Sequence, residues 1–182
     1  MIAAHRSFKP VRYRDAKVLL AIAPKPFKWS PLPGAVAEAA VVRNVLSKVQ
    51  VTSVPQLPSM DSIPGASATC DDVLLRIPDA NIFHLACHGH TNPKNVLESG
   101  FILTDRMLML TELMELNLSN AFFAFLSACE SARGSRQQGD QAVHLAATMM
   151  FAGFKSIIGT MWYAVRDESC SFYCLTPLYS GR

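Results

Sequence analysis

The chain has 182 residues, of which 50% are hydrophobic and 17% charged, with a formal net charge of +3. So apolar a balance excludes disorder and supplies a core large enough for one domain. The basic residues are scattered, and no apolar run approaches the ~18 residues of a spanning helix, which argues against nucleic acid and membrane as partners. Met1–Arg6 lacks the apolar segment of a secretory signal, and the five cysteines have no regular spacing. Reduced thiols in an intracellular, cytoplasmic setting are therefore expected.

Residues 1–16 are polar, basic and irregular, and read as a lead-in to a domain over 17–182. Lys17–Pro24 is a short apolar run closed by proline, a first buried strand. Lys25–Gly34 is a proline-rich loop. Over Ala35–Val49 the residues Val41, Val42, Val45, Leu46 and Val49 share one helical face, predicting an amphipathic helix with Glu38 off that face. Val51–Leu57 is a weakly patterned second strand, and Ser59–Gly65 a loop. Ala66–Ile77 reads as a helix capped by Thr69 or Asp71, with Val73, Leu74 and Ile77 inward. Asn81–Cys87 is a third strand, the apolar run continuing to His88-Gly89, and His88–Leu97 a polar loop. Gly100–Leu110 holds two apolar pieces around Thr104-Asp105-Arg106, a small hairpin. Thr111 is expected to cap a helix over Glu112–Leu116. Ala121–Cys129 is a nearly unbroken apolar run, a central strand buried on both faces. Arg133–Asp140 is a loop, and Asp140 is expected to cap a helix over Gln141–Phe151 that Gly153 ends. Lys155–Trp162 is a fifth strand, and Arg166–Leu178 begins a last helix. Strands alternating with helices predict an α/β fold, a mainly parallel sheet with helices on both faces.

In such sheets chemistry collects beyond the carboxyl ends of the strands. His88 and Cys129 stand at two such ends. An imidazole that takes the thiol proton makes a thiolate able to attack a carbonyl carbon. The backbone amides of Gly89 and Cys129 are candidate donors to the resulting oxyanion, glycine letting backbone approach without a Cβ. The same cysteine also reads as packing, since cysteine is among the most buried residue types. His84, on the same face as His88, reads as a core histidine, and His90 as a loop residue or a substrate contact. Glu130 and Asp140 are candidate substrate-binding carboxylates, and equally a helix-dipole partner and a helix cap. The spacing of Cys87, His88, His90 and Cys129 is not that of a zinc motif. No phosphate loop is present, since 134–139 lacks the lysine one needs. No metal and no cofactor are expected.

Phe83–Gly89 (FHLACHG), Phe125–Ala132 (FLSACESA), Asp140–Ala146 (DQAVHLA) and Phe151–Trp162 (FAGFKSIIGTMW), taken in order, resemble successive blocks of the CHAT domain, a caspase-like family. Leu32-Pro33-Gly34-Ala35 with Glu38 resembles the family's early loop and helix, and the wording is closest to fungal versions. The resemblance implies a caspase–haemoglobinase fold, His88 as general base, Cys129 as nucleophile and hydrolysis of peptide bonds in protein substrates without metal or cofactor. A regulatory protein partner fits the same resemblance. Asp140-Gln141 replaces the family's Asp-Glu, and the family continues past the last helix into a further helix and a closing strand. The expectation is thus a domain lacking its C-terminal helix and last strand. The alternative function is a catalytically silent CHAT-like module for interaction and signalling.

Overall fold

The computed structural model describes residues 16–51, 60–62, 68–92, 94–130 and 139–159. Expectations for the lead-in, for 131–138, for the last residues of the fifth strand and for the final helix lie outside the described residues.

Among the described residues seven strands form one sheet. They are β1 (Val18–Ile22), β2 (Met60–Ser62), β3 (Ile82–His90), β4 (Gly100–Ile102), β5 (Met107–Met109), β6 (Phe123–Glu130) and β7 (Ser156–Gly159). β1 pairs in parallel with β2 and β3, β3 with β6, and β6 with β7. β4 and β5 are an antiparallel hairpin that joins β3 through His88–His90, beyond the end of β1. The sheet is therefore mixed. Five parallel strands carry a hairpin at the carboxyl end of the central one.

Among the described residues four α-helices accompany it: α1 (Pro33–Val51), α2 (Cys70–Arg76), α3 (Leu110–Glu115) and α4 (Gly139–Ala152). Strand alternation sends successive side chains to opposite faces. Leu19, Ala21, Phe83, Leu85 and Cys87 pack into one core with Val73 and Ile77, Leu113, Leu145 and Met149, residues in and beside α2, α3 and α4. Leu20, Ile22 and Ala86 pack against Ala35 and Ala39 of α1 in a second, smaller cluster. Helices thus cover both faces.

Several boundaries differ from expectation. α1 runs to Val51, and a described strand, Met60–Ser62, falls within the stretch expected to be loop, while the strand expected over 51–57 lies past Val51 outside the described residues. Three residues edging the sheet carry too little pattern to be read. The buried face of α1 is also a different one. Val41 and Val45 are exposed, whereas Ala35 and Ala39 are buried. Small alanines let the helix lie close to the sheet, Val41 and Val45 are left outside, and of the expected inward residues Val42 packs against the cluster. β3 extends to His90, so the loop expected from His88 starts later, because β4 and β6 supply partners to its end. The cap of α3 is Met109, whose N–H donates to Glu112 Oε2 at 2.9 Å, with Thr111 inside the helix. Asp140 is the second residue of α4 and does not precede it. Thr69 does cap α2, its hydroxyl accepting from the Asp72 N–H at 3.2 Å. Gly153 ends α4 with a φ of 132°, a conformation that favours glycine.

Asn81 fastens the amino ends of the central strands. The Lys17 N–H donates to its Oδ1 at 2.8 Å, and its Nδ2 donates to Asn120 O at 3.0 Å. Three segments are set to a common level, which fixes the heights of the opposite ends.

Candidate active site

β3 and β6 lie side by side for eight register pairs, from Ile82 opposite Phe123 to Gly89 opposite Glu130. In this register His88 is the direct partner of Cys129. Paired positions on adjacent parallel strands share a face and lie about 4.8 Å apart. The side chains of Cys129, Glu130 and Asp140 are outside the described residues.

His88 is 3% exposed, on the α1 side of the sheet. Its Nε2 lies 2.9 Å from the Ser30 carbonyl oxygen and 3.5 Å from Ser30 Oγ. A carbonyl cannot donate, so Nε2 must carry the hydrogen. In the neutral ring Nδ1 is then the basic nitrogen. The Trp29 ring packs against His88 with centroids 5.3 Å apart and meets His90 at 6.0 Å, nearly edge-on.

The 24–32 loop that supplies these contacts is pinned at several points. Phe27 N–H donates to Leu103 O and Leu32 N–H to Pro24 O, both at 2.9 Å. Lys28, between Phe27 and Trp29, has a φ of 58°. A non-glycine residue in the left-handed region is uncommon and persists where its surroundings impose it.

Below His88 on the same face sits a second polar group. His84 stacks on Phe125 with centroids 5.0 Å apart and planes within 3°. Its Nε2 is 3.1 Å from Glu38 Oε1, a contact too poorly aligned for a hydrogen bond. Glu38 Oε2 accepts from Ser127 Oγ at 2.8 Å. Glu38 therefore faces the sheet, contrary to expectation. The order is serine, carboxylate, histidine, so the imidazole does not reach the hydroxyl. This cluster holds α1 on the sheet two residues before Cys129 and does not activate Ser127.

The backbone phase bears on the oxyanion donors. Ile82 N–H donates to Lys17 O, and Phe123 N–H to Asn81 O. Backbone groups alternate between edges along a strand. In phase with these bonds, Gly89 turns its amide toward β6 and Cys129 turns its amide toward β3. A Cβ on Gly89 would meet Leu145 Cδ1 at 3.1 Å, so a side chain there would press on α4.

The model of the CHAT domain family matches residues 3–171. The chain belongs to this family. CHAT domains are caspase-like. No curated protein matches the chain.

In this CHAT domain Cys87 lies in the core on the face opposite His88, so the two do not share a site. Among the described residues no group of three or more His, Cys, Asp or Glu is placed to hold a metal. Among them, too, no helix is long and apolar enough to cross a membrane. Cys70 is buried beneath the hairpin, its thiol pushed up to about 12 by burial and then by Asp105. Its Sγ donates to Arg106 O at 3.5 Å. It is a packing residue.

Sequence reasoning missed Trp29 and Ser30. Ser30 acts through a backbone carbonyl, which leaves no trace in residue type. Trp29 left one signal: two aromatic residues, Phe27 and Trp29, in a short proline-rich loop that has no core of its own to bury them.

Proposed function

We propose that this domain is a cysteine endopeptidase in which His88 is the general base and Cys129 the nucleophile. The observation that carries the reading is the direct register pairing of His88 with Cys129 at the carboxyl ends of two central strands. The fixed tautomer supports it. Ser30 O holds the Nε2 hydrogen and leaves Nδ1 to take the thiol proton. The thiolate adds to the scissile carbonyl, and the imidazolium returns the proton to the leaving amine. Water then attacks the thioester with the same imidazole as base. The amides of Gly89 and Cys129 serve the oxyanion once the last rung between β3 and β6 opens. Glu130, at that rung, and Asp140 are the carboxylates proposed to contact substrate. The partners are protein or peptide substrates, with a regulatory protein as a further one.

The test is labelling by a thiol-reactive peptide probe. Label should be lost in Cys129→Ala and kept in Cys87→Ala. His88→Ala should slow labelling by about 10²–10⁴-fold, the usual contribution of a general base. Equal labelling of the two cysteine variants would overturn the assignment and leave the silent interaction module as the better description.

A further inference from the structure

A depression of about 340 Å³ lies between the 24–32 loop and the β4–β5 hairpin, and one of its lining residues, Trp29, packs on His88. Phe27, Trp29, Ile102 and Met107 give it apolar walls, and His90, in edge-on contact with Trp29, joins them in its lining. Lys28 and Arg106 also line it, and among the described residues no carboxylate does. Its volume is at the low end of ligand sites, about 300–1,000 Å³, which suits one or two side chains.

The two cations are not equivalent. Arg106 directs Nη1 and Nη2 to the two carboxylate oxygens of Glu112, each at 2.9 Å, and its charge is answered there. Lys28 makes no ion pair among the described residues. Its Nζ lies 4.8 Å from the centre of the Phe27 ring. The left-handed turn at Lys28 is held by Phe27 N–H on the hairpin and by Ser30 O on His88. The strained residue thus sits between two walls of the depression, and the base fixes one end of its loop. Phe27 is 46% exposed, a large apolar surface kept open to solvent.

We infer that this depression is a substrate subsite that takes an aromatic side chain from a peptide bearing an acidic residue next to it. The inference rests on the cysteine-peptidase reading above for its role in catalysis. The aromatic ring stacks against Trp29 and Met107, and the neighbouring carboxylate pairs with Lys28. Aromatic packing supplies most of the selectivity, since it is desolvated, and the exposed ion pair adds a smaller part.

The experiment uses the full chain carrying Cys129→Ala, so that binding is read without turnover. Four acetylated hexapeptides, differing in Phe or Ala at one position and Asp or Lys beside it, are titrated by calorimetry. The Asp-Phe peptide should bind at least about tenfold more tightly than Asp-Ala, and about threefold more tightly than Lys-Phe at low salt. Trp29→Ala should remove the Phe preference. Lys28→Glu, which is remote from the core, should reverse the charge preference and leave the Phe preference in place. Equal binding of the Phe and Ala peptides, or a preference that survives in Trp29→Ala, overturns the subsite. The two readings fail separately. Phe-independent probe labelling of Cys129 in the unsubstituted chain keeps the peptidase and removes the subsite. Phe-selective binding without any Cys129 labelling keeps the binding site and removes the peptidase.

Discussion

The two faces of the sheet are built differently. On the side of α2, α3 and α4, side chains such as Phe83, Leu85, Leu113 and Met149 form an apolar core that is almost wholly buried. On the α1 side the apolar cluster is small, and the same strands present His84, Ser127 and His88 to Glu38 and the 24–32 loop. One strand therefore contributes cohesion through its odd-numbered residues and chemistry through its even-numbered ones. The lesson is that a site can be polar and shallow when the opposite face of its own backbone holds the fold.

The sharpest way to break this contrast is Phe83→Ala. It should cost about 3–5 kcal/mol in denaturant unfolding, the usual cost of an emptied aromatic site. The labelling rate of Cys129 per folded molecule should stay unchanged. A lost rate in the folded fraction would mean that the two faces are not separable. Next comes Ala39→Leu on the other side. Forcing α1 away from the sheet should cost about 1–3 kcal/mol, the typical cost of overpacking. Here the labelling rate should fall as well. Glu38→Ala leaves Ser127 and His84 without their bridging carboxylate, and should cost about 1–2 kcal/mol as a broken, partly buried hydrogen-bonded group. The smallest effect belongs to Glu112, whose carboxyl is held below its usual value of 4.5, first by the Arg106 hydrogen bond. A depressed carboxylate stabilises above its unfolded pKa, and that stability is lost as pH falls through the folded pKa. Glu112→Gln should therefore cost about 0.3–1 kcal/mol at neutral pH, the range of a partly exposed ion pair, and less at each step below pH 4.5. A pH-independent cost would show that the pair acts by packing.

What was legible in the sequence followed from strong local signals. The hairpin, β3 and β6 were readable because each is a short apolar run bounded by polar or turn residues. His88 and Cys129 were readable because each ends such a run. The inward face of α1 was read correctly at Val42 and misread at Val41 and Val45, because hydrophobicity favoured valines over Ala35 and Ala39, whereas the sheet takes small residues and a carboxylate there. β2 is three residues long and has no periodicity to detect. The Ser30 carbonyl and the left-handed turn at Lys28 are backbone features, set by the tertiary contacts of the loop.

Asn81 has a consequence for the order of assembly. Its side chain joins Lys17, 64 residues earlier, to Asn120, 39 residues later. β3 gains neither of its parallel neighbours, β1 and β6, from adjacent chain, so those two pairings incur the entropy of closing long loops. The hairpin, by contrast, is local and is expected to form early. Amides of Phe83–Cys87 should then exchange with solvent through global unfolding, whereas those of the hairpin exchange through smaller openings. The histidine at the end of β3 follows directly on those slow amides, with the local hairpin on one edge and β6 on the other.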